Sequence, residues 1–201
     1  MDVLPNPATR VPLIALPNDP ASSYINANFV RSYDGTPNRF ICTQGPLPDT
    51  VVAFWRMVLE HGVDCIVMAT GLEEKGEKKC EAYFPRTPST PPLTFGGLAV
   101  ACLAHTPGPA FDQALLEVSF AVATSRRTHV VKHVWYHAWP DHGVPRTPDL
   151  VPDPSHILDM LQVVEAHRAD CIARRDMEVC SSLLLSCPPL RLLLPNESPL
   201  S

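Results

Sequence analysis

The sequence predicts a domain of mixed helices and strands, of the α/β or α+β class. Its 201 residues suffice for one domain with a buried core. Two segments carry apolar residues at helical spacing, and several others alternate apolar and polar residues or form short apolar runs, as strands do. Strands and amphipathic helices within one chain pack as layers of sheet and helix.

The first helix is predicted up to His61. Asp49 or Thr50 can cap its N-terminus, and Gly62 is typical of a C-terminal stop. The large apolar side chains on one face of this segment are Phe54, Trp55, Val58 and Leu59. We expect this face to be buried.

Strands are predicted after this helix, at residues 64–70, 94–103, 115–124 and 129–136. The run at 64–70 is short and apolar, which favours a buried strand. In the segment 115–124, apolar residues alternate with Glu117 and Ser119. We expect its apolar residues to share the core face of a sheet.

A second helix is predicted from Asp153 to about Arg168. Asp153 is a suitable cap, and Pro154 suits the first helical position. The residues expected to face the core are Ile157, Leu158, Leu161, Val163 and Val164.

Composition restricts the classes of partner. The net charge of -5 and pI near 5.9 give no basic footprint for nucleic acid. Residues 183–194 are the most apolar stretch, but prolines and Arg191 interrupt it, so we expect no membrane span. Seven cysteines without paired spacing, and an N-terminus unlike a signal peptide, favour a reducing compartment, the cytoplasm or alternatively the nucleus.

Trp139 to Pro145 reads WPDHGVP, which resembles the mobile acid loop (WPD loop) of the protein tyrosine phosphatases. Other motifs of that family occur in its order and at about its spacing over roughly residues 2–168. They are DVLP with TRV (residues 2–5 and 9–11), SYINANF (23–29), FICTQGPLPDT (40–50), FWRMV (54–58), IVM (66–68) and EKGEKKC with YFP (74–80 and 83–85). Each fragment alone would be weak evidence, but six in register argue strongly against a chance match.

The resemblance implies a twisted mixed β-sheet flanked by helices and a hydrolase that removes phosphate from phosphotyrosine in signalling proteins. Asp141 would be the general acid and later the general base. Trp139, Pro140 and Gly143 would support the acid loop. Asp2, Glu74 and Lys79 would border the bound phosphotyrosine protein. The family's chemistry uses no metal or other cofactor, so none is expected.

The nucleophile is not identified. Family members use a cysteine in a loop of the form HCxxGxxR, whose backbone N–H groups cradle the phosphate. Around Cys180 the sequence keeps valine, cysteine and serine but has no histidine or glycine, and Ser186 stands where the arginine should be. Cys80 and Arg86 have the right spacing, but the bulky residues and Pro85 between them do not suit a phosphate cradle.

These observations predict a partial phosphatase domain at residues 1–170, incomplete at the C-terminus. Residues 171–201 would be a divergent tail outside the family fold, because their leucine triplets and prolines show neither helical nor strand periodicity. The tail is interpreted as a splice or gene-model product.

Three interpretations of function remain open. The chain belongs to a phosphotyrosine phosphatase lineage but is catalytically impaired, since the cysteine and arginine loop are missing. Alternatively, it is an inactive module, a pseudophosphatase that binds or regulates phosphotyrosine proteins. The third interpretation is an unstable truncated product.

Three histidines, His129, His133 and His137, recur at every fourth residue. On a helix they would share one face and could hold a metal ion. The surrounding β-branched and aromatic residues favour a strand, where four residues span about 13 Å, too far for a shared ion. We therefore predict structural or surface roles.

Overall fold

The computed structural model describes residues 4–74, 76–122, 125–137, 139, 144 and 153–181. They fall into two compact units, residues 1–62 and residues 63–201. Both units contain strands and a helix, so the predicted mixture of helices and strands is confirmed.

The first unit contains a short hairpin-like sheet and one helix. A 3-10 helix, Pro20–Ser23, precedes strands β1 (Ala27–Val30) and β2 (Phe40–Thr43), which pair antiparallel. Helix α1 follows at Val51–Glu60. It buries Phe54, Trp55, Val58 and Leu59, and the predicted apolar face is confirmed.

The N-terminus of α1 differs in detail from the prediction. Thr50 is the cap residue by position, but its hydroxyl accepts a hydrogen bond of 2.8 Å from the Leu47 N–H. The threonine therefore braces the turn before the helix instead of capping the helix. At the other end Gly62 has φ +59, a left-handed conformation that favours glycine, and the predicted stop is confirmed.

A buried charge pair holds the N-terminal segment against α1. Arg56 lies 3.1 Å from Glu60, and both side chains are almost fully buried. The guanidinium also donates to the backbone carbonyls of Ile14 and Ser22, and Glu60 accepts from the Ile14 N–H at 2.7 Å. Because each charge has several partners, the cost of removing both from water is offset.

The second unit is built on a five-stranded sheet with the order β3-β9-β8-β7-β6. The strands are β3 (Cys65–Met68), β6 (Leu93–Phe95), β7 (Leu98–Thr106), β8 (Phe111–Val122) and β9 (Ser125–Tyr136). β3 runs parallel to β9, and the other neighbours are antiparallel. This is the mixed sheet that the sequence resemblance implied. A separate two-stranded ribbon joins β4 (Glu73–Glu74) to β5 (Glu77–Lys78).

Two strand predictions need correction. The segment 94–103 is not one strand, because Gly96 and Gly97, with φ +52 and +85, turn the chain between β6 and β7. The buried strand predicted at 64–70 is shorter, and Val67 is exposed between buried Ile66 and Met68. By contrast, Leu116, Val118 and Phe120 of β8 share the buried face, as their alternation predicted.

Helix α2 spans Ser155–Ser181, well beyond the predicted end near Arg168. Its start is as predicted, because the Asp153 carboxylate accepts a 2.9 Å hydrogen bond from the Ser155 N–H. The boundary predicted between residues 170 and 171 remains a prediction.

The buried face of α2 is only partly the predicted one. Ile157, Val163 and Val164 pack beside the sheet around Met160, which is 9% exposed. Leu158 and Leu161, predicted to face inward, are 54% and 48% exposed, so that prediction is wrong. Apolar residues occur on more than one side of this part of α2, and the side that packs on the sheet is the one that carries Met160. No helix among the described residues has the length and apolar character to cross a membrane.

This choice of face can be tested with Met160→Ala and Leu158→Ala. We expect Met160→Ala to lower the free energy of unfolding by about 2 kcal/mol or more, because it opens a cavity in the core. Leu158→Ala should change it by less than about 0.5 kcal/mol. Urea denaturation of both variants measures the difference. Equal losses of unfolding free energy would mean that α2 packs on the sheet through a face that also includes Leu158.

Candidate functional site

The acid-loop segment, residues 137–145, contains the WPDHGVP motif and follows β9, the strand between β3 and β8. Tyr136, the last residue of the strand, is buried beside Ala110, Val134 and Met160. Its ring lies 6.0 Å from the ring of Trp139, which is 43% exposed. Trp139 therefore stands at the sheet end, on a fixed aromatic neighbour. The predicted residues Pro140, Asp141 and Gly143 lie outside the described residues.

Asp112, the second residue of β8, anchors the start of this segment. His137 Nε2 lies 3.4 Å from one carboxylate oxygen of Asp112, and His105 Nε2 lies 3.2 Å from the other. The Gly108 N–H donates to the same carboxylate at 3.1 Å. In addition, the His137 N–H donates to the Ala110 carbonyl at 3.1 Å. One carboxylate thus joins the end of β7, the β7–β8 turn and the end of β9.

The environment of Asp112 favours its ionised form. Partial burial by itself would raise the pKa of this carboxyl, but the Gly108 N–H and the two histidines hold the pKa below its usual range. The cluster is therefore an anion with several hydrogen-bond donors directed at it. It can brace a loop, and it is not suited to accept a proton at neutral pH.

An aromatic layer covers the neighbouring part of β9. The Tyr83 hydroxyl and His133 Nε2 are 2.7 Å apart, and the Phe84 ring lies 4.0 Å from the His133 ring. Burial lowers the pKa of His133 to about 3 and raises the pKa of Tyr83 well above its usual value, so both are neutral. The Arg86 guanidinium stacks over Trp135 at 4.6 Å, a cation–π contact.

The other two histidines of the series have distinct partners. His129 Nε2 lies 2.8 Å from the Val63 carbonyl, whereas His133 is buried and His137 faces Asp112. All are on or directly after β9, which confirms the predicted strand. Each is held by a different structural contact.

A small cavity lies between the Asp112 cluster and the aromatic layer. It is lined by Phe84, Arg86, His105, Asp112, Ala114, His133 and Trp135. Polar and aromatic groups both border it, but the guanidinium is already stacked on Trp135 and the carboxylate is already hydrogen bonded. The cavity is therefore part of the scaffold behind the acid-loop segment.

The predicted substrate-binding residues are only partly placed. Glu74 pairs with Glu77 in the β4–β5 ribbon, and the Lys79 N–H donates to the Leu72 carbonyl at 2.9 Å, with the lysine exposed. Glu74 is thus in β4, and Lys79 follows β5 directly. Asp2 lies outside the described residues. The roles of all three stay predictions.

The two cysteines considered as nucleophiles occupy unsuitable positions. Cys80 is 1% exposed, and its thiol donates to the Glu81 carbonyl at 3.4 Å. Burial raises the pKa of the Cys80 thiol to about 11, which disfavours the reactive thiolate. Cys180 falls within the helical span of α2.

Sequence reasoning did not identify Asp112 and His105 as supports of the acid-loop segment. Asp112 lies opposite Trp135 in the β8–β9 register, two residues before His137. This proximity comes from pairing between strands that are separate in sequence. The sequence signal for this cluster is the turn at Gly108, because it pairs β7 with β8 and so brings His105 near Asp112.

The sequence model of the Protein-tyrosine phosphatase family matches residues 1–182. The chain is a member of the protein tyrosine phosphatase family. It is 37% identical over 188 residues to the rat Tyrosine-protein phosphatase non-receptor type 5, covering 92% of this chain and 45% of the relative. It is 40% identical over 148 residues to the human Receptor-type tyrosine-protein phosphatase H, covering 74% of this chain and 13% of that protein.

Solved phosphatase structures share the fold. The catalytic domain of human protein tyrosine phosphatase non-receptor type 18 superposes with a TM-score of 0.68 at 38% identity, over 80% of this chain and 53% of that one. A structure of the type 18 phosphatase in complex with HER2 phosphopeptides gives a TM-score of 0.69 at 36% identity, over 83% of this chain and 54% of that one. The chain thus spans about half the length of these solved phosphatase chains.

The anchoring role of Asp112 is tested with Asp112→Asn. We expect a loss of about 1 kcal/mol in the free energy of unfolding at neutral pH, because charge-assisted hydrogen bonds are weakened. The pKa of Asp112 is lowered in the folded protein, so its contribution is complete above the unfolded carboxyl's pKa of about 3.9 and is lost as pH falls through the lowered value.

Denaturation at neutral pH and below about pH 3 measures this difference. The exposed Asp170, changed to Asn, is the matched control and should have little effect at either pH. A difference between wild type and Asp112→Asn that persists unchanged in acid would contradict the ionic anchor.

Proposed function

We propose that the chain descends from phosphatases that hydrolyse phosphotyrosine in proteins, and that the 201-residue chain itself is catalytically impaired. Family membership and the phosphopeptide complex of the type 18 phosphatase support phosphotyrosine proteins as the ligand class. The observation that supports the impairment is the position of the two candidate cysteines: Cys80 is buried, and Cys180 falls in a helical span.

Phosphate transfer to cysteine needs an accessible thiolate surrounded by free N–H donors. Cys80 is buried, and its thiol pKa of about 11 leaves little thiolate at neutral pH. The span that includes Cys180 is helical, so its backbone N–H groups are directed at carbonyls of the preceding turn. Such N–H groups are not available to a phosphate.

In this proposal Asp141 keeps the identity of the family's general acid without a nucleophile to serve. The position of Trp139 at the end of β9 supports an acid loop that starts from a firmly held strand. Pro140 and Gly143 would shape that loop, and Glu74 and Lys79 would border the bound phosphotyrosine. Their roles are carried over from the family motifs.

A second function, binding of phosphotyrosine proteins without hydrolysis, is favoured by the same relative. Its structure with HER2 phosphopeptides supports peptide recognition by this fold. The exposed Lys79, the residue after β5, supplies a cation that could meet a phosphate. We place this pseudophosphatase activity in the cytoplasm, in line with the non-receptor relatives, although receptor-type relatives also match.

Hydrolysis of a small aryl phosphate tests the impairment. We expect the purified chain to release phenolate no faster than buffer, and no faster than its Asp141→Ala and Cys180→Ser variants, because no phosphocysteine can form. The human type 18 phosphatase catalytic domain is the positive control in the same assay. Turnover above buffer that falls in both variants would overturn the proposal.

Binding is tested separately with paired peptides, one phosphorylated on tyrosine and one not. The binding function predicts a preference for the phosphorylated peptide that weakens in Lys79→Ala. Lys132→Ala, on β9, is the charge-matched control and should leave the preference unchanged. Equal retention of both peptides would exclude phosphotyrosine recognition. It would not change the conclusion drawn from the hydrolysis assay.

A further inference from the structure

Two cysteines far apart in sequence lie close together in the second unit. Cys65 begins β3, and Cys171 lies in α2. The His167 ring connects their surroundings: its Nε2 is 3.0 Å from the carbonyl of Asp64, next to Cys65, and 3.4 Å from Cys171 Sγ. His167 Nε2 therefore contacts both the sulfur of Cys171 and the backbone next to Cys65.

Cys65 is on the side of β3 that faces this helix. It is half-buried and packs against the cluster that contains Met160, together with Val163 and Val164 of α2. Burial raises the pKa of Cys65 to about 11, Lys132 opposes the rise, and the nearby Cys171 adds to it. The effect of the Cys171 thiol on the pKa of Cys65 does not depend on the His167 contacts. It is a second indication that the two thiols are neighbours.

Cys171 has the more reactive surroundings. A carbonyl only accepts hydrogen bonds, so His167 Nε2 must carry the hydrogen directed at Asp64. The same nitrogen lies 3.4 Å from the Cys171 sulfur, and Arg174 Nη2 donates to that sulfur from 3.6 Å. Both cysteines are half-buried, but a guanidinium donor lies beside Cys171. Partly exposed thiols beside cationic donors are the ones that oxidise first.

We propose that Cys171 and Cys65 form a reversible disulfide when the protein meets hydrogen peroxide, tying α2 to β3. The Cys171 sulfur attacks one peroxide oxygen, so that an S–O bond forms, the O–O bond breaks and the departing oxygen leaves as water. The Cys65 sulfur, after losing its proton, then attacks the sulfenic sulfur, and the S–O bond breaks with loss of a second water. Two thiols are oxidised, and one peroxide is reduced to two waters.

The disulfide would have a mechanical effect. Among the described residues, α2 packs on the sheet through Ile157, Met160, Val163 and Val164, and Leu158 and Leu161 face solvent. A covalent link at Cys171 would add a second attachment further along the helix, near the start of β3. The inference does not depend on the proposed function, since neither cysteine belongs to the acid-loop segment or the β4–β5 ribbon.

Peroxide treatment of the full chain tests the inference. After oxidation, free thiols are alkylated and the protein is digested without reductant for mass spectrometry. We expect one dominant linked peptide pair, joining Cys65 to Cys171, with a mass lower by two hydrogen atoms than the separate thiols. The oxidised protein should melt about 5 °C higher, because a closed loop restricts the unfolded chain, and dithiothreitol should reverse the change.

Three variants complete the design. Cys65→Ser and Cys171→Ser should abolish the linked pair and the rise in melting temperature. Cys42→Ser removes an exposed cysteine of the other unit and should retain both. Sulfinic or sulfonic acid on Cys171 with Cys65 fully alkylated, or a dominant link to any other cysteine, would overturn the inference. These contradicting results would be seen in the wild-type protein itself. The test therefore works even if a serine variant fails to fold.

Discussion

The twelve-residue pairing of β8 with β9 is the constraint on which the second unit depends. Each residue from Phe111 to Val122 has a partner in β9, from Tyr136 back to Ser125. This register places β9 between β3 and β8, and it sets Asp112 opposite Trp135. A slip of one residue would move Asp112 to the opposite face and separate it from His105 and His137. The buried faces of both strands therefore fix the base of the acid-loop segment.

The features that follow from local sequence could be predicted. The apolar face of α1, the stop at Gly62 and the Asp153 cap depend on residues a few positions apart. The side of α2 that is buried could not be predicted, because Leu158 and Leu161 are as apolar as the residues around Met160 that are buried. The Asp112 cluster could not be predicted either, since it requires the register between three strands. The family motifs supplied the acid loop, but not the contacts that hold it.

The proposed impairment would separate two parts of phosphatase chemistry that usually occur together. The strand that leads into the acid loop is firmly placed, with Tyr136 buried and Trp139 against it. The cysteines examined as nucleophiles are a buried thiol and a residue in a helical span. Conservation of a scaffold without its reactive group is physically reasonable, because the sheet core and the Asp112 cluster stabilise the fold whether or not a phosphate is transferred. Family membership thus describes the architecture, whereas activity depends on a nucleophile.

We infer that neither Cys80 nor Cys180 accepts a phosphoryl group, because Cys80 is buried and Cys180 falls in a helical span. The most direct measurement is to mix the chain with a phosphotyrosine peptide carrying radioactive phosphate, quench the reaction within milliseconds to seconds, and map any label on the protein. We expect no phosphocysteine on any of the seven cysteines, whereas the type 18 phosphatase domain should be trapped as its phosphoenzyme under the same conditions. Label on Cys80 or Cys180 that disappears in the corresponding serine variant would contradict it.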